Sequence, residues 1–353
     1  MSTPVTLQQL LGMSLPIIQA PMAGVQGSAM AVAVSEAGGL GSLPTALLSV
    51  EALRAEIAAI ASQTAKPWNV NFFCHTPPRY SPEKESAWRT ALAPYYVELG
   101  IEPGPLSAGP GRMPFSHEAV EVLSEFRPPI VSFHFGLPSA EMLGRVRQWG
   151  ARILSSATTV DEARWLEAHG ADAIIAQGFE AGGHRGIFLS QDLNTQVGTL
   201  ALVPQIVRAV KVPVIAAGGI GDARGIRAAL ALGAAAVQIG TAYLLCTEAT
   251  TSAIHRAALK DDGARVTAMT NLLTGRPARG IVNRIMRELG PINPLAPDFP
   301  LAASALAPLC ARAEGLGRSD FSPLWAGQNT TGCKEVSAGI LTKELAGDVA
   351  GGN

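Results

Sequence analysis

The chain is poor in the residues that staple, charge or anchor a protein. Its 353 residues include four cysteines, Cys74, Cys246, Cys310 and Cys333, too widely spaced for a zinc motif or a disulfide framework. They read as reduced thiols. An excess of either charge is missing too: 27 Lys plus Arg face 28 Asp plus Glu. No clustered basic run offers a footprint to nucleic acid or an anionic membrane surface, so neither partner is expected. No apolar run approaches the roughly 20 residues that a membrane span needs. The start, MSTPVTLQQLLGM, has no cationic segment ahead of an apolar one, and the protein is expected to stay in the cytoplasm. His75, His117, His169 and His255 have no carboxylate or cysteine at ligand spacing, so no metal is expected. A P-loop, a G-x-S-x-G elbow and an early G-x-G-x-x-G fingerprint are also absent, which leaves a dedicated dinucleotide domain unsupported.

What is present is aliphatic. Hydrophobic residues make up 48% of the chain and aromatics only 5%, a balance that suits buried parallel strands covered by helices. Short β-rich runs alternate with helical patterns that end in Gly, the rhythm of repeated βαβ units. Eight strands are expected: PIIQAPMAG at 16–24, LGSLPTA at 40–46, WNVNFFC from Trp68, PIVSFHFG at 129–136, RILSSAT from Arg152, DAIIAQG from Asp172, VPVIAAGG from Val212 and AAVQIGTAYLL from Ala235. Eight units favour closure into an α/β fold, a (β/α)₈ TIM barrel, over an open doubly wound sheet. The barrel is assigned to 1–250 and a helical cap, the substrate subdomain, to 251–353, where the strand rhythm fades. A Pro- and Gly-rich insertion at about 76–116 is too long for an ordinary connection and reads as a lid or a homodimer contact.

Barrel enzymes place their chemistry at the C-terminal ends of the strands. There, strand seven runs into Gly218-Gly219-Ile220-Gly221-Asp222 and strand eight carries Gln238-Ile239-Gly240-Thr241. Paired glycine-rich ends on these two strands form the usual phosphate grip of such barrels, so a phosphate-bearing cofactor is expected. Strand six leads into Gln177-Gly178-Phe179-Glu180-Ala181-Gly182-Gly183-His184-Arg185-Gly186, a loop expected to cover the ligand. Its His184 reads as a hydrogen-bond partner of backbone or phosphate before it reads as a catalyst. Strand one ends in Ala20-Pro21-Met22, small enough for a flat ring to lie against the backbone. On strand four, alternation puts Ser132 and His134 on the inner face and Phe133 and Phe135 on the outer one. His134 is then a general base or an anion holder near the mouth.

Together, QAPMAGVQGSAMAVAVSEAGGLG from Gln19, VSFHFGLP from Val131, ATTVDEARWLEAHGADAIIAQGFEAGGHRG from Ala157 and VIAAGGIGDARGIRAALALGAAAVQIGTAYLLC from Val214 resemble the bacterial class I nitronate monooxygenases, formerly 2-nitropropane dioxygenases. The likeness extends weakly to WAGQ at 325–328. It implies noncovalent FMN and the oxidation of alkyl nitronates such as propionate 3-nitronate by O₂, through a flavin semiquinone, to carbonyl compounds and nitrite or nitrate. Carried onto matching positions, it gives FMN contacts at Met22, Asn71, Gln177, Gly182, Gly219 and Gln238 to Thr241, with His134 as the active-site histidine. Some relatives line the substrate pocket with tyrosines and a lysine from the C-terminal region. This chain has no Tyr after Tyr243, and His255 and Phe299 are expected to shape that pocket instead. Two other readings compete: an FMN-dependent NAD(P)H:quinone or enoyl reductase of the same barrel group, and a noncatalytic barrel that only binds a phosphorylated ligand. The histidine of strand four argues against the reductase.

Overall fold

The aliphatic runs form eight parallel strands: β1 (Ile17–Gln19), β2 (Gly41–Pro44), β3 (Trp68–Phe73), β4 (Ile130–His134), β5 (Arg152–Ala157), β6 (Ala173–Gln177), β7 (Val214–Ala217) and β8 (Ala236–Ile239). The computed structural model describes residues 6–102, 104 and 112–347. The strands pair in the order β1-β8-β7-β6-β5-β4-β3-β2. A parallel bridge between Ile18 and Leu40 closes the ring, with Gln19 N–H donating to Leu40 O and Leu40 N–H to Ile17 O, both at 2.9 Å. Closure removes the sheet edges, which would otherwise expose unpaired backbone.

Alternation along each strand then divides the core in two. Outward residues such as Ile17, Ile174, Val214 and Val237 meet Leu166, Val203, Ile206 and Ile226 of the helical ring. Inward residues Ile18, Leu154, Ile175 and Ile215 pack inside the barrel on Leu7 and Leu11 of the helix Leu7–Leu11. Further along, the interior turns polar: Asn69 Nδ2 donates to Ser42 Oγ at 3.0 Å and to Ser132 Oγ at 2.8 Å. Helix Ser28–Glu36 lies so close to β2 that a Cβ on Gly41 would sit 1.9 Å from the Ala31 carbonyl oxygen, so only glycine fits there. Its N-cap is Gly27, and Ser28 is its first residue, whose N–H donates to Glu56 Oε2 at 2.6 Å.

The insertion after β3 is part of the cap. Its helix Pro82–Glu98 lays Trp88, Leu92, Tyr95 and Tyr96 against Leu306, Leu309 and Phe321 of the C-terminal region. Trp88 Nε1–H donates to Ala302 O at 3.2 Å and Tyr96 O–H to Ala305 O at 2.6 Å, so helix Ala302–Gly315 is hydrogen-bonded to the insertion as well as packed on it. At the rim, Arg284 holds Glu98 through two nitrogens at 2.7 Å each. The cap also contains an antiparallel ribbon, Thr267–Thr270 with Ala278–Ile281, which pairs with Gly183–His184 of the β6 loop.

The expected assignment of all of 251–353 to the cap gives way at its far end. Helix Ala338–Ala346 returns to the barrel, burying Leu341 and Leu345 in the outer layer against helices Ser28–Glu36 and Ala223–Ala231. Tyr243 and Thr342 fasten it there through their hydroxyls at 2.9 Å. It takes the position of the helix that follows β8 in a complete ring.

Trp88→Ala should cost about 3–5 kcal/mol of stability, because the ring is fully buried and joins two segments that are remote in sequence. Urea unfolding checks this. A cost below about 1 kcal/mol would show that insertion and cap do not depend on each other.

Candidate active site at the barrel mouth

The C-terminal ends of the strands surround a cavity of about 1300 Å³, including its open mouth. On one side lie the ends of β7 and β8. Gly218 and Gly219 take φ of 122° and 71°, a left-handed path that keeps side chains off this rim. Asp222 then caps the helix Ala223–Ala231 by accepting from Gly225 N at 2.8 Å. Among the described residues, the N–H groups of Gly219, Ile220, Gly240 and Thr241 donate to no protein acceptor, although all four residues line the cavity. Four free donors beside a helix N-terminus fit a phosphate. Met22, Ala20 and Pro21 of the turn after β1 line the adjoining wall, with Met22 and Ala20 packed against Gly240. Gln238 also lines it, and its side chain has no hydrogen-bond partner among the described residues. Ile239 is the exception among the expected contacts: its side chain faces the helical ring, and only its carbonyl, accepting from Ala20 N at 2.8 Å, serves the site.

The β6 loop crosses the mouth and is pinned from beneath. Arg185 is fully buried; it donates to Gly178 O and Gln177 O at 2.7 Å each and to Gln196 Oε1 at 3.1 Å. Gln177 is committed to the same loop, with Nε2 donating to His184 O at 2.9 Å and Oε1 accepting from Gly186 N at 2.7 Å. It lines the cavity, but both ends of its amide are occupied by backbone. Gly182 and Gly183 carry the loop along the cavity, and the segment 325–328 anchors beside them through Gln328 N to Glu180 O at 2.9 Å.

His134 stands at the end of β4. Its Nδ1 lies 2.5 Å from Ser156 Oγ and its Nε2 lies 3.2 Å from His184 O. A carbonyl can only accept, so Nε2 carries the hydrogen and Nδ1 accepts from the Ser156 hydroxyl. Burial lowers the His134 pKa to about 3, and Arg276 and Arg185 add to the fall against the opposing His184 carbonyl. The ring is a neutral donor and acceptor. Asn71 lines the same wall and donates to Ser132 Oγ at 3.0 Å.

Phe135 does not face the helices as strand alternation implied. At φ 70° the backbone turns it into the mouth, where its ring lies 4.4 Å from that of His134 and carries the Arg276 guanidinium at 3.9 Å. His184 Nε2 shares a hydrogen bond with Thr274 Oγ1 at 2.9 Å. Phe299 packs on His75 at 4.8 Å and His184 at 5.1 Å, while His255 lines the cavity. Sequence reasoning missed Ser156 and Arg112, which also line it. Ser156 could have been found by alternation on β5, whereas nothing local marks Arg112. Burial holds the thiols of Cys74 and Cys246 well above the usual range, Cys246 at about 12, so neither is a thiolate near neutrality. Among the described residues no three His, Cys, Asp or Glu gather as a metal site would require, and no helix is long and apolar enough to cross a membrane.

The nitronate monooxygenase family model matches residues 5–348. The chain belongs to this family. A nitronate monooxygenase of Pseudomonas aeruginosa is 44% identical over 97% of this chain and 98% of its own length. Among solved structures, a nitroalkane oxidase from Streptomyces ansochromogenes aligns with a TM-score of 0.88 and 40% identity, covering 98% of each chain. FabK from Thermotoga maritima aligns with a TM-score of 0.71 and 28% identity over 97% of this chain and 95% of its own. Family membership makes the protein an oxidoreductase of nitronates on a TIM barrel.

The buried histidines make stability depend on pH. Burial lowers His75 and His255 to about 4 and His134 to about 3 from the ordinary 6.5. Because the native pKa values lie below the unfolded ones, their contribution is complete above about pH 6.5 and is lost as pH falls toward 4. Each costs on the order of 1.4 kcal/mol per pH unit within its window. Melting temperature should therefore drop steeply between pH 6.5 and 4, and less steeply in His255→Gln. Equal slopes for the two proteins would show that His255 is not held neutral.

Proposed function

We propose that this chain binds FMN and oxidises alkyl nitronates with O₂, releasing a carbonyl compound and nitrite or nitrate in the cytoplasm. One observation carries the reading: the free N–H groups at the ends of β7 and β8 open onto the same cavity as the uncharged imidazole of His134. Gly219, Ile220, Gly240 and Thr241 would hold the phosphate; Ala20, Pro21, Met22, Asn71, Gly182, Gly183, Gly218 and Gln238 would flank the rest of FMN. Ile239 would contribute backbone only and Gln177 would fix the covering loop. When bound, FMN supplies the one-electron chemistry that links the nitronate to O₂.

The residues divide the remaining work. A nitronate arrives already deprotonated, so His134 and Ser156 need only orient its oxygens. A neutral nitroalkane must first lose its α-proton, and Nδ1 of His134 is the free base, once the Ser156 hydroxyl turns aside. The imidazolium formed is supported by the His184 carbonyl but opposed by Arg276 and Arg185. Base catalysis is thereby handicapped, which favours nitronates over their neutral parents. His134→Asn should lower kcat/KM about 100-fold or more for neutral nitroalkanes and less than about tenfold for nitronates. Equal losses for both would contradict the base role.

The alternative is the FMN-dependent NAD(P)H:quinone or enoyl reductase that the sequence also raised. Oxygen uptake with propionate 3-nitronate, compared with oxidation of NADH plus a quinone in one preparation, separates the two. Rapid NADH consumption without nitronate turnover would overturn the nitronate reading. Colourless protein unable to take up FMN would leave only a binding barrel.

A further inference from the structure

The insertion returns to the barrel through residues 112–115 and brings a charge with it. Arg112 is the one charged side chain lining the cavity among the described residues, and no Asp or Glu lines it. Burial alone lowers its pKa, with no carboxylate acting on it. The neighbouring stretch 105–111, PLSAGPG, has none to offer. An uncompensated guanidinium beside a cavity calls for an anion.

Its position is set by the backbone. Phe115 N–H donates to Phe73 O at 2.8 Å, which ties the returning segment to the end of β3. Arg112, Phe73 and His134 line one cavity, with the Phe73 ring 5.7 Å from that of His134. The cavity thus combines a hydrogen-bonding histidine, an apolar ring beside it and a cation on one wall.

We propose that Arg112 is a specificity-determining residue that receives a carboxylate, carried on a short apolar tether, of a nitronate whose reacting end lies at His134. This rests on the nitronate reading above and deepens it. A bidentate guanidinium matches a carboxylate, and in a water-poor cavity the pairing discriminates strongly against an alkyl tail of equal length.

The test compares propionate 3-nitronate with propyl-1-nitronate, its uncharged-tail counterpart, on the flavin-loaded full chain. In Arg112→Gln, the ratio of kcat/KM values should fall about ten- to a hundredfold, chiefly through KM of the charged substrate, and Arg112→Lys should recover part of it. Succinate, an unreactive dicarboxylate, should perturb the flavin absorbance of the parent protein and do so far less in Arg112→Gln. An unchanged ratio, or equal losses on both substrates, overturns the proposal. Loss of FMN from Arg112→Gln with the ratio intact also overturns it and makes Arg112 a cofactor residue. A parent protein that turns over neither nitronate defeats the functional reading itself, a result distinct from an active parent whose selectivity ignores Arg112.

Discussion

A fully buried cation holds the mouth of this barrel in shape. Taking a guanidinium out of water costs several kcal/mol unless its donors are satisfied, and Arg185 meets that demand with two carbonyls and an amide at the base of the β6 loop. The acceptors belong to Gln177, Gly178 and Gln196, so the loop cannot shift without stranding the charge. Phe179 reinforces it, with Arg185 at 5.8 Å and Arg279 at 4.8 Å from the ring centroid. The reward is a fixed carbonyl. His184 O accepts from both His134 and Gln177, and it decides which nitrogen of His134 carries the hydrogen.

The same dry environment sets the electrostatics. Burial keeps His75, His134, His184 and His255 neutral, so they supply donors and acceptors without charge. Arg276 stands behind Phe135, its Nε unpartnered. With no carboxylate on the cavity wall among the described residues, the field there favours anions.

Much of this was legible in the chain. The eight strands showed themselves because buried parallel strands must read as unbroken apolar runs, and the glycines of β7 and β8 stood out as bare backbone at the strand ends. His134 followed from alternation on β4. Alternation then failed one residue later, at Phe135, where a positive φ overrode the period of two. Ile239 failed for the opposite reason: β8 keeps its alternation, so a residue between two cavity-facing neighbours points outward. The pairing of helix Pro82–Glu98 with helix Ala302–Gly315 joins segments about two hundred residues apart, and no local pattern announces it. Arg112 was invisible because a charge in a Pro- and Gly-rich stretch looks like solvent-facing loop until the fold turns it inward.

The homecoming of helix Ala338–Ala346 changes what the cap is. Residues 251–337 become an excursion, bounded on both sides by barrel, between β8 and the helix that completes the ring. The insertion after β3 is likewise tethered at each end to the wall it leaves and rejoins. Both excursions can then vary in sequence, the one that carries the Arg112 guanidinium included, while the glycine-lined strand ends stay untouched. Trimming the chain from its C-terminus would do the reverse, leaving those loops whole and opening a seam in the barrel that supports them.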